Sequence, residues 1–505
     1  MALAQARLRV PRLAPALVAV LALGLASFAG LVSAVLPAWL IVGLFMVPGL
    51  AVLLLLRPEY ALTACVALVC GLVHPAFVPR IPAFGGALAA ADAALAMLFC
   101  YAVWTLATQR KAPDAAPQPG FRWLGVSLLL FGLAFVLALV LSLTVRDIGA
   151  ANVLGEARDL LYLMVLPIAV VILQHPKRLK RFVISFVVLG CLFALGQVLQ
   201  GLFRLPVFGA QGISSLETLG QLHDGTTRAN TLGLNVIVFS LLLTLGAYVL
   251  GVIRKAVFLA VAGLLLVGIV LTFGRTTYAA VLVCGALVVW WLDARKLPVL
   301  LGWLVLAVAC GSAIGMWLKP DSFAAVYFRM TTIGEEIDRG YSAQWRFWEA
   351  QAMLPHLEEQ PLTGVGLGAD YKGARGAAQH PELNRYVHNG YLYMAGKMGL
   401  PALAFFLSMM AAIAVIGRRL AKGTASPAAR VVGAACAAMM IRFLAASITE
   451  PHLMSDYGVV NIAIAGALVL LFARSATDPA GPAAAVEPTH AVPRGARARP
   501  RRQVA

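Results

Sequence analysis

The sequence predicts an all-α, polytopic membrane protein with 12–14 transmembrane helices and one large extramembrane loop that itself contains helices. Three observations carry this. Hydrophobic residues make up 61% of the 505 positions and charged residues only 12%, where a soluble domain carries about 25% charged residues. Mean hydropathy is +0.87. Apolar runs close to the ~20 residues needed to cross a bilayer recur along the chain.

The runs fall at about 13–33, 37–56, 60–73, 87–107, 121–144, 154–173, 182–203, 231–251, 256–274, 276–292, 297–318, 391–416, 430–448 and 458–473. The first follows Arg7, Arg9 and Arg12 and is expected to be an uncleaved span rather than a signal peptide, because so many spans follow it. The chain divides accordingly into an N-terminal bundle (1–318), a loop domain (319–388), C-terminal spans (389–474) and a disordered basic tail (475–505). Lys and Arg gather at Arg110–Arg122, Lys177–Arg181, Arg254–Lys255, Arg295–Lys296, Arg418–Arg430 and the tail. An even span count puts all of these on one face, and the positive-inside rule makes that face cytoplasmic, with both termini. The net charge of +18 is then explained by topology, and nucleic acid is not an expected partner. The seven cysteines lie inside apolar runs without ligand spacing, so they are expected to be buried apolar residues, not a disulfide framework or a metal site.

Two long segments fall on the outer face, Arg204 to Asn230 and Lys319 to His388. Within the second, YSAQWRFWEAQAMLPHL (Tyr341–Leu357) places Trp345, Trp348, Ala352 and Leu354 at near-helical spacing, predicting a helix on the membrane or over a cavity. Next come a glycine turn, Thr363-Gly364-Val365-Gly366-Leu367-Gly368, a basic segment with Lys372, Arg375 and Arg385, and His388-Asn389 at the start of an apolar helix. The turn lacks the Gly-Lys-Ser/Thr of a phosphate loop, so its glycines are expected to serve a tight turn or close backbone approach.

Ionisable residues within or beside spans are functional candidates by default. Arg275 sits at the outer junction of two spans; Arg158 lies in a span beside Glu156 and Asp159; Arg228 opens a span after His223-Asp224. Arg346 is on the loop helix, with Arg339 before it. Arg442 and Asp92 lie near outer span ends, where an ion pair within the bundle competes with a ligand role, as it does for Arg158; for Arg442 the partners in view are Glu450, His452 and Asp456. Guanidinium groups bind phosphate oxygens through two parallel hydrogen bonds. Imidazole accepts a proton from a hydroxyl near neutral pH. Arginines with one histidine therefore suit transfer from a diphosphate-activated donor to an alcohol, without a metal.

At these residues the chain resembles the O-antigen ligase and polymerase superfamily of bacterial envelope glycosyltransferases. The resemblance rests on Arg346-x-Trp348, Pro361-Leu362-Thr363-Gly364-Val365-Gly366-Leu367-Gly368, His388-Asn389-Gly390-Tyr391-Leu392, Gly399-Leu400-Pro401, Arg275-Thr276, and Arg228 with Asn235, in order over roughly 150–450. It implies a GT-C-like bundle in the bacterial inner membrane with a periplasmic site and no cofactor. It also implies an undecaprenyl-diphosphate-linked O-antigen as donor, lipid A–core oligosaccharide as acceptor, and inversion of the anomeric centre. His388 would act as general base, Arg275 and Arg346 would contact the diphosphate together with Arg228 and Arg158, and Arg339, Asn389 and Arg442 would be secondary candidates. The same resemblance admits an O-antigen polymerase or a protein O-oligosaccharyltransferase. A glycolipid transporter is the reading from another class; it is disfavoured because no internal repeat is evident and the polar residues cluster at one face. Transfer by the purified protein is expected to persist in EDTA, and a strict need for an added divalent ion would overturn the metal-free reading.

Overall fold

The computed structural model describes residues 48–73, 80–83, 86–108, 119–203, 213–215, 227–229, 231–272, 274–298, 341–371 and 385–477, with the single positions 205, 207 and 302. Much of the first two apolar runs, most of the run at 297–318, and the tail after 477 lie outside these residues. The helices follow in chain order: α1 (Pro58–Val69), α2 (Ala90–Thr108), α3 (Pro119–Thr144), α4 (Ala150–Leu161), α5 (Val165–Ile172), α6 (Pro176–Phe203), α7 (Leu234–Val249), α8 (Lys255–Val270) and α9 (Arg275–Asp293). After α9 come α10 (Tyr341–Glu359), α11 (Gly390–Met398), α12 (Leu400–Lys422), α13 (Pro427–Ala446) and α14 (Asp456–Thr477).

Among the described residues, seven helices (α2, α3, α6, α9, α12, α13 and α14) are long and apolar enough to cross a membrane. The shorter apolar helices α1, α7 and α8 stand with them. The bundle is layered around α13 and α14, whose apolar windows are 72% and 78% buried, against 22% for the peripheral α3. Small residues let α13 take the centre. Gly433 lies against Gly417 of α12 so closely that a Cβ on either would come within 2.6 Å of the other's carbonyl oxygen. Around this axis α3 packs on α12, with the Trp123 Nε1 donating to Ser408 Oγ (2.8 Å) and Phe131 against Phe406. Likewise α6 packs on α7, with Phe186 edge-on to Phe239.

Two predicted spans are broken. The run at 154–173 is a pair of short helices joined by a 3-10 turn at Tyr162–Met164. Pro167 lacks an amide hydrogen and its ring crowds the carbonyl four residues back, which tightens that turn. The run at 391–416 is divided at Gly399, whose φ of +87° ends α11 before Leu400-Pro401 starts α12. Two antiparallel ribbons, β1 (Arg80–Ala83) with β2 (Gly86–Ala89) and β3 (Ile213–Ser215) with β4 (Thr227–Ala229), add strand to a chain expected to be helical throughout. Cys65, Cys70, Cys284 and Cys436 are buried as expected, but Cys100 is exposed on α2, a helix that turns much of its surface outward.

The basic turns meet at one end of the bundle. Arg430 donates to the Leu292 carbonyl at the close of α9, Lys296 donates to Val249 at the close of α7, and Arg181 at the start of α6 pairs with Glu59 at the start of α1. The loop helix, the glycine turn and His388 occupy the opposite end, because α12 and α13 run antiparallel from them. Gly399→Ala places a Cβ 2.1 Å from the Leu362 carbonyl oxygen at a positive φ. The backbone strain alone costs on the order of 1–3 kcal/mol. A clear fall in thermal midpoint in detergent is expected, and Gly125→Ala, which meets nothing within 4 Å, serves as the unaffected control.

Candidate functional site

The site is built on one face of α10. Arg346, Glu349 and Met353 recur at three and four residues and therefore share that face. Met353 is fully buried against Gly396 of α11, where a Cβ would lie 2.3 Å from its sulfur. One turn earlier, Glu349 is fully buried, and its Oε2 accepts the His388 backbone amide (2.8 Å) and pairs with His388 Nδ1 (2.9 Å). The spacing of Trp345, Trp348, Ala352 and Leu354, which dominates this stretch of sequence, does not point to this carboxylate. Leu354 proves 44% exposed, because it is Met353 that faces α11. The signal present in the sequence was the polar pair Arg346 and Glu349 spaced by one turn.

The His388 side chain is 30% exposed, and with Nδ1 on the carboxylate, Nε2 is the nitrogen available to a ligand. The Tyr386 ring stands perpendicular to the imidazole at 4.9 Å and packs also on Tyr393. Burial, together with the nearby Tyr457, Glu450 and Glu349, pushes the Tyr386 phenol up from its ordinary value, and Arg346 opposes this. Among the described residues, the enclosed Arg346 Nε has no hydrogen-bond partner.

The loop bearing His388 is fastened to the end of α13. Asn389, a secondary candidate from sequence, caps α11 by accepting the Tyr391 and Leu392 amides at 3.0 Å. Gly390 donates to the Ser447 carbonyl (2.7 Å) and the Tyr391 hydroxyl to that of Leu444. Arg275 opens α9, and α9 runs antiparallel to α13. Cys284 lies level with Ala438 (3.2 Å) and Leu292 with Arg430 (3.1 Å), the same interval on both helices. Continued toward the site, that register brings half-buried Arg275 to the level of Ser447 and hence of Gly390.

The glycine turn is structural. Gly364, Gly366 and Gly368 adopt φ of +60°, +101° and +75°. A Cβ at Gly364 would meet the Gly396 oxygen at 2.3 Å, and one at Gly368 the Asn152–Val153 backbone at 2.6 Å. The successive amides are all engaged within the protein: Val365 to Gly396 O (2.6 Å), Gly366 to Lys397 O (3.1 Å), Leu367 to Ser142 Oγ (2.8 Å) and Gly368 to Glu156 Oε2 (2.8 Å). No donor in this run is left to cradle a phosphate. Glu156 also pairs with fully buried Lys397 (3.1 Å), which donates to the Ala369 carbonyl (2.5 Å). Burial lowers the Lys397 pKa and Glu156 opposes that shift. At the rim, Arg146 binds Gln360 (2.8 Å) and Thr363 (2.9 Å).

The remaining candidates are placed elsewhere. Arg158 lies two turns into α4, and its guanidinium pairs with Asp92 (3.2 Å), which also accepts the Tyr162 hydroxyl (2.8 Å). Arg442 is buried on α13 and donates to Asn235 (2.5 Å), the residue matched with Arg228 in the sequence reading. In the turn beyond it, Glu450 pairs with His452 (2.8 Å). Arg385 is answered by Asp370 (2.7 Å). The Arg228 backbone pairs with Ser214 in the β3–β4 ribbon; its side chain, Arg339, Lys372 and Arg375 lie outside the described residues. Among the described residues no group of three His, Cys, Asp or Glu is placed to hold a metal ion.

Removing one member of a buried ion pair strands the other, at about 3–5 kcal/mol. Glu156→Gln or Lys397→Met alone should therefore lower the thermal midpoint sharply, while the double variant recovers part of the loss. A double variant as unstable as the sum of the singles would refute the coupling.

Residues 258–407 match the family model described as O-antigen ligase. Among the curated proteins, none matches the chain. The matched stretch runs from α8 through α9, α10, the glycine turn and α11 into α12. The chain carries a domain of the O-antigen ligase family across residues 258–407, and Arg275, Arg346, Glu349 and His388 all lie within it.

Proposed function

We propose that this protein is an inner-membrane O-antigen ligase that transfers an undecaprenyl-diphosphate-linked glycan to lipid A–core oligosaccharide. The observation that carries the reading is the part-exposed imidazole of His388 held by Glu349, one turn along α10 from Arg346, at the end of the bundle remote from the basic turns. That polarity favours a periplasmic site with both termini cytoplasmic.

In the proposed step an acceptor hydroxyl gives its proton to His388 Nε2 as its oxygen attacks the anomeric carbon from the face opposite the diphosphate. The bond between that carbon and the diphosphate oxygen breaks, and its electron pair leaves with undecaprenyl diphosphate. The anomeric centre inverts, and the imidazolium returns its proton to water. Negative charge grows on the departing oxygens, where preorganised guanidinium groups contribute most because they are in place before the charge develops. Arg346 and Arg275 are assigned this role. Arg158, whose charge is already answered by Asp92, and Arg228 are more distant candidates. An exposed face of α10, carrying Phe347 and Leu354, suits contact with the membrane surface beside a lipid-linked donor.

The test uses purified protein, the lipid-linked donor and lipid A–core. His388→Ala is expected to cut transfer by about 10²–10⁴-fold, the range for loss of a general base, in a protein that still folds and inserts but at a lower thermal midpoint, because buried Glu349 loses its ring partner. Arg275→Lys keeps the charge but loses the two-pronged donor, and a drop of roughly tenfold or more in kcat/KM is expected. Wild-type transfer in Arg275→Lys would remove that residue from the diphosphate site. Elongation of the donor lipid itself would identify a polymerase, and transfer to peptide Ser or Thr a protein O-oligosaccharyltransferase.

A further inference from the structure

We propose that Glu349 is the positioning residue for His388, fixing its ring as the Nδ1–H tautomer and stabilising the imidazolium that forms when Nε2 takes a proton. The inference deepens the reading of His388 as general base and rests on it. Glu349 is fully buried one turn along α10 from Arg346, and one of its oxygens, Oε2, meets both the backbone amide and the ring Nδ1 of His388. An oxygen that already accepts the amide hydrogen is the acceptor of the second bond too, which puts the shared ring proton on Nδ1. Nε2 is then a lone-pair nitrogen on the part-exposed side of the ring. Because the amide and the ring are held by the same atom, the ring is constrained in position and in rotation at once. Tyr386, perpendicular to the imidazole at 4.9 Å, packs against the ring and limits its tilt.

A carboxylate in this place does two separable things. It selects the tautomer, so that the nitrogen facing substrate is basic. It also offers a negative charge, in surroundings that screen it little, to the imidazolium formed in the transition state. Glutamine retains an oxygen acceptor of the same reach without the charge, whereas leucine removes both functions. A purely structural role, in which Glu349 only ties the His388 backbone to α10, predicts no effect on turnover once the variant is folded.

The experiment compares wild type, Glu349→Gln, Glu349→Leu and His388→Ala as purified full-length chains. It measures transfer against donor concentration, the thermal midpoint, and the ¹⁵N chemical shifts of the His388 ring, assigned by their absence in His388→Ala. In Glu349→Gln, kcat is expected to fall by about 10²–10³-fold, the order found when one preorganised electrostatic contact to the transition state is removed. KM for the lipid-linked donor is expected to stay within about threefold of wild type, as for loss of an interaction made only in the transition state. The ring is expected to remain Nδ1–H in Glu349→Gln and to populate the Nε2–H form in Glu349→Leu. A folded Glu349→Gln with wild-type kcat, while His388→Ala is inactive, would overturn the positioning role and leave the ligase reading standing. A wild-type ring found as Nε2–H would overturn it equally. Full activity in His388→Ala would sink both. Should Glu349→Leu not fold, the kcat of Glu349→Gln and the wild-type tautomer still decide.

Discussion

The cap over the bundle rests on a buried ion pair. Lys397 is wholly enclosed on α11, and its charge is tolerated only because Glu156 of α4 lies 3.1 Å away and the Ala369 carbonyl accepts a further bond. Through Glu156 the same pair holds the Gly368 amide. One carboxylate therefore joins a helix of the N-terminal bundle, the glycine turn and the short helix that follows His388. With those three fixed, α10 packs Met353 on Gly396, and Glu349 arrives beneath the imidazole.

This explains why the glycines are where they are. A turn that lays its backbone against two other backbones leaves no room for side chains, and alternate residues must take positive φ to keep each amide on its partner. The run resembles a phosphate cradle in sequence but spends its donors inside the protein. In the proposed reaction, anion recognition falls instead to guanidinium groups on two helices, Arg346 on α10 and Arg275 at the start of α9. Helices hold such groups more steadily than a loop does.

The polar residues at this end of the bundle sort by what answers their charge. Arg158, Arg385 and Arg442 each meet a partner within the fold, Asp92, Asp370 and Asn235 respectively. Burial in an apolar bundle makes such pairing necessary, because an unanswered charge there costs several kcal/mol. His388 differs in kind: one nitrogen is held by a buried acid, and its side chain reaches the open side of the cap.

Hydropathy and the placing of Lys and Arg were sufficient to establish a multi-span helical bundle and the grouping of its basic turns, because the bilayer acts on each segment by itself. His388, Arg346 and the glycine turn stood out for a similar reason: each is unusual in its own stretch of sequence. The break at Gly399 was hidden inside an apolar run, since hydropathy does not register a single backbone angle. Glu349 was hidden in a helix whose tryptophans dominated the pattern, and Glu156 beside the more conspicuous Arg158. Which acid meets which base depends on contacts between residues far apart in the chain, such as Glu156 with Lys397 and Glu349 with His388. The sequence determined by itself which groups would be costly to bury; only the packing of α4, α10 and α11 decided how each would be answered.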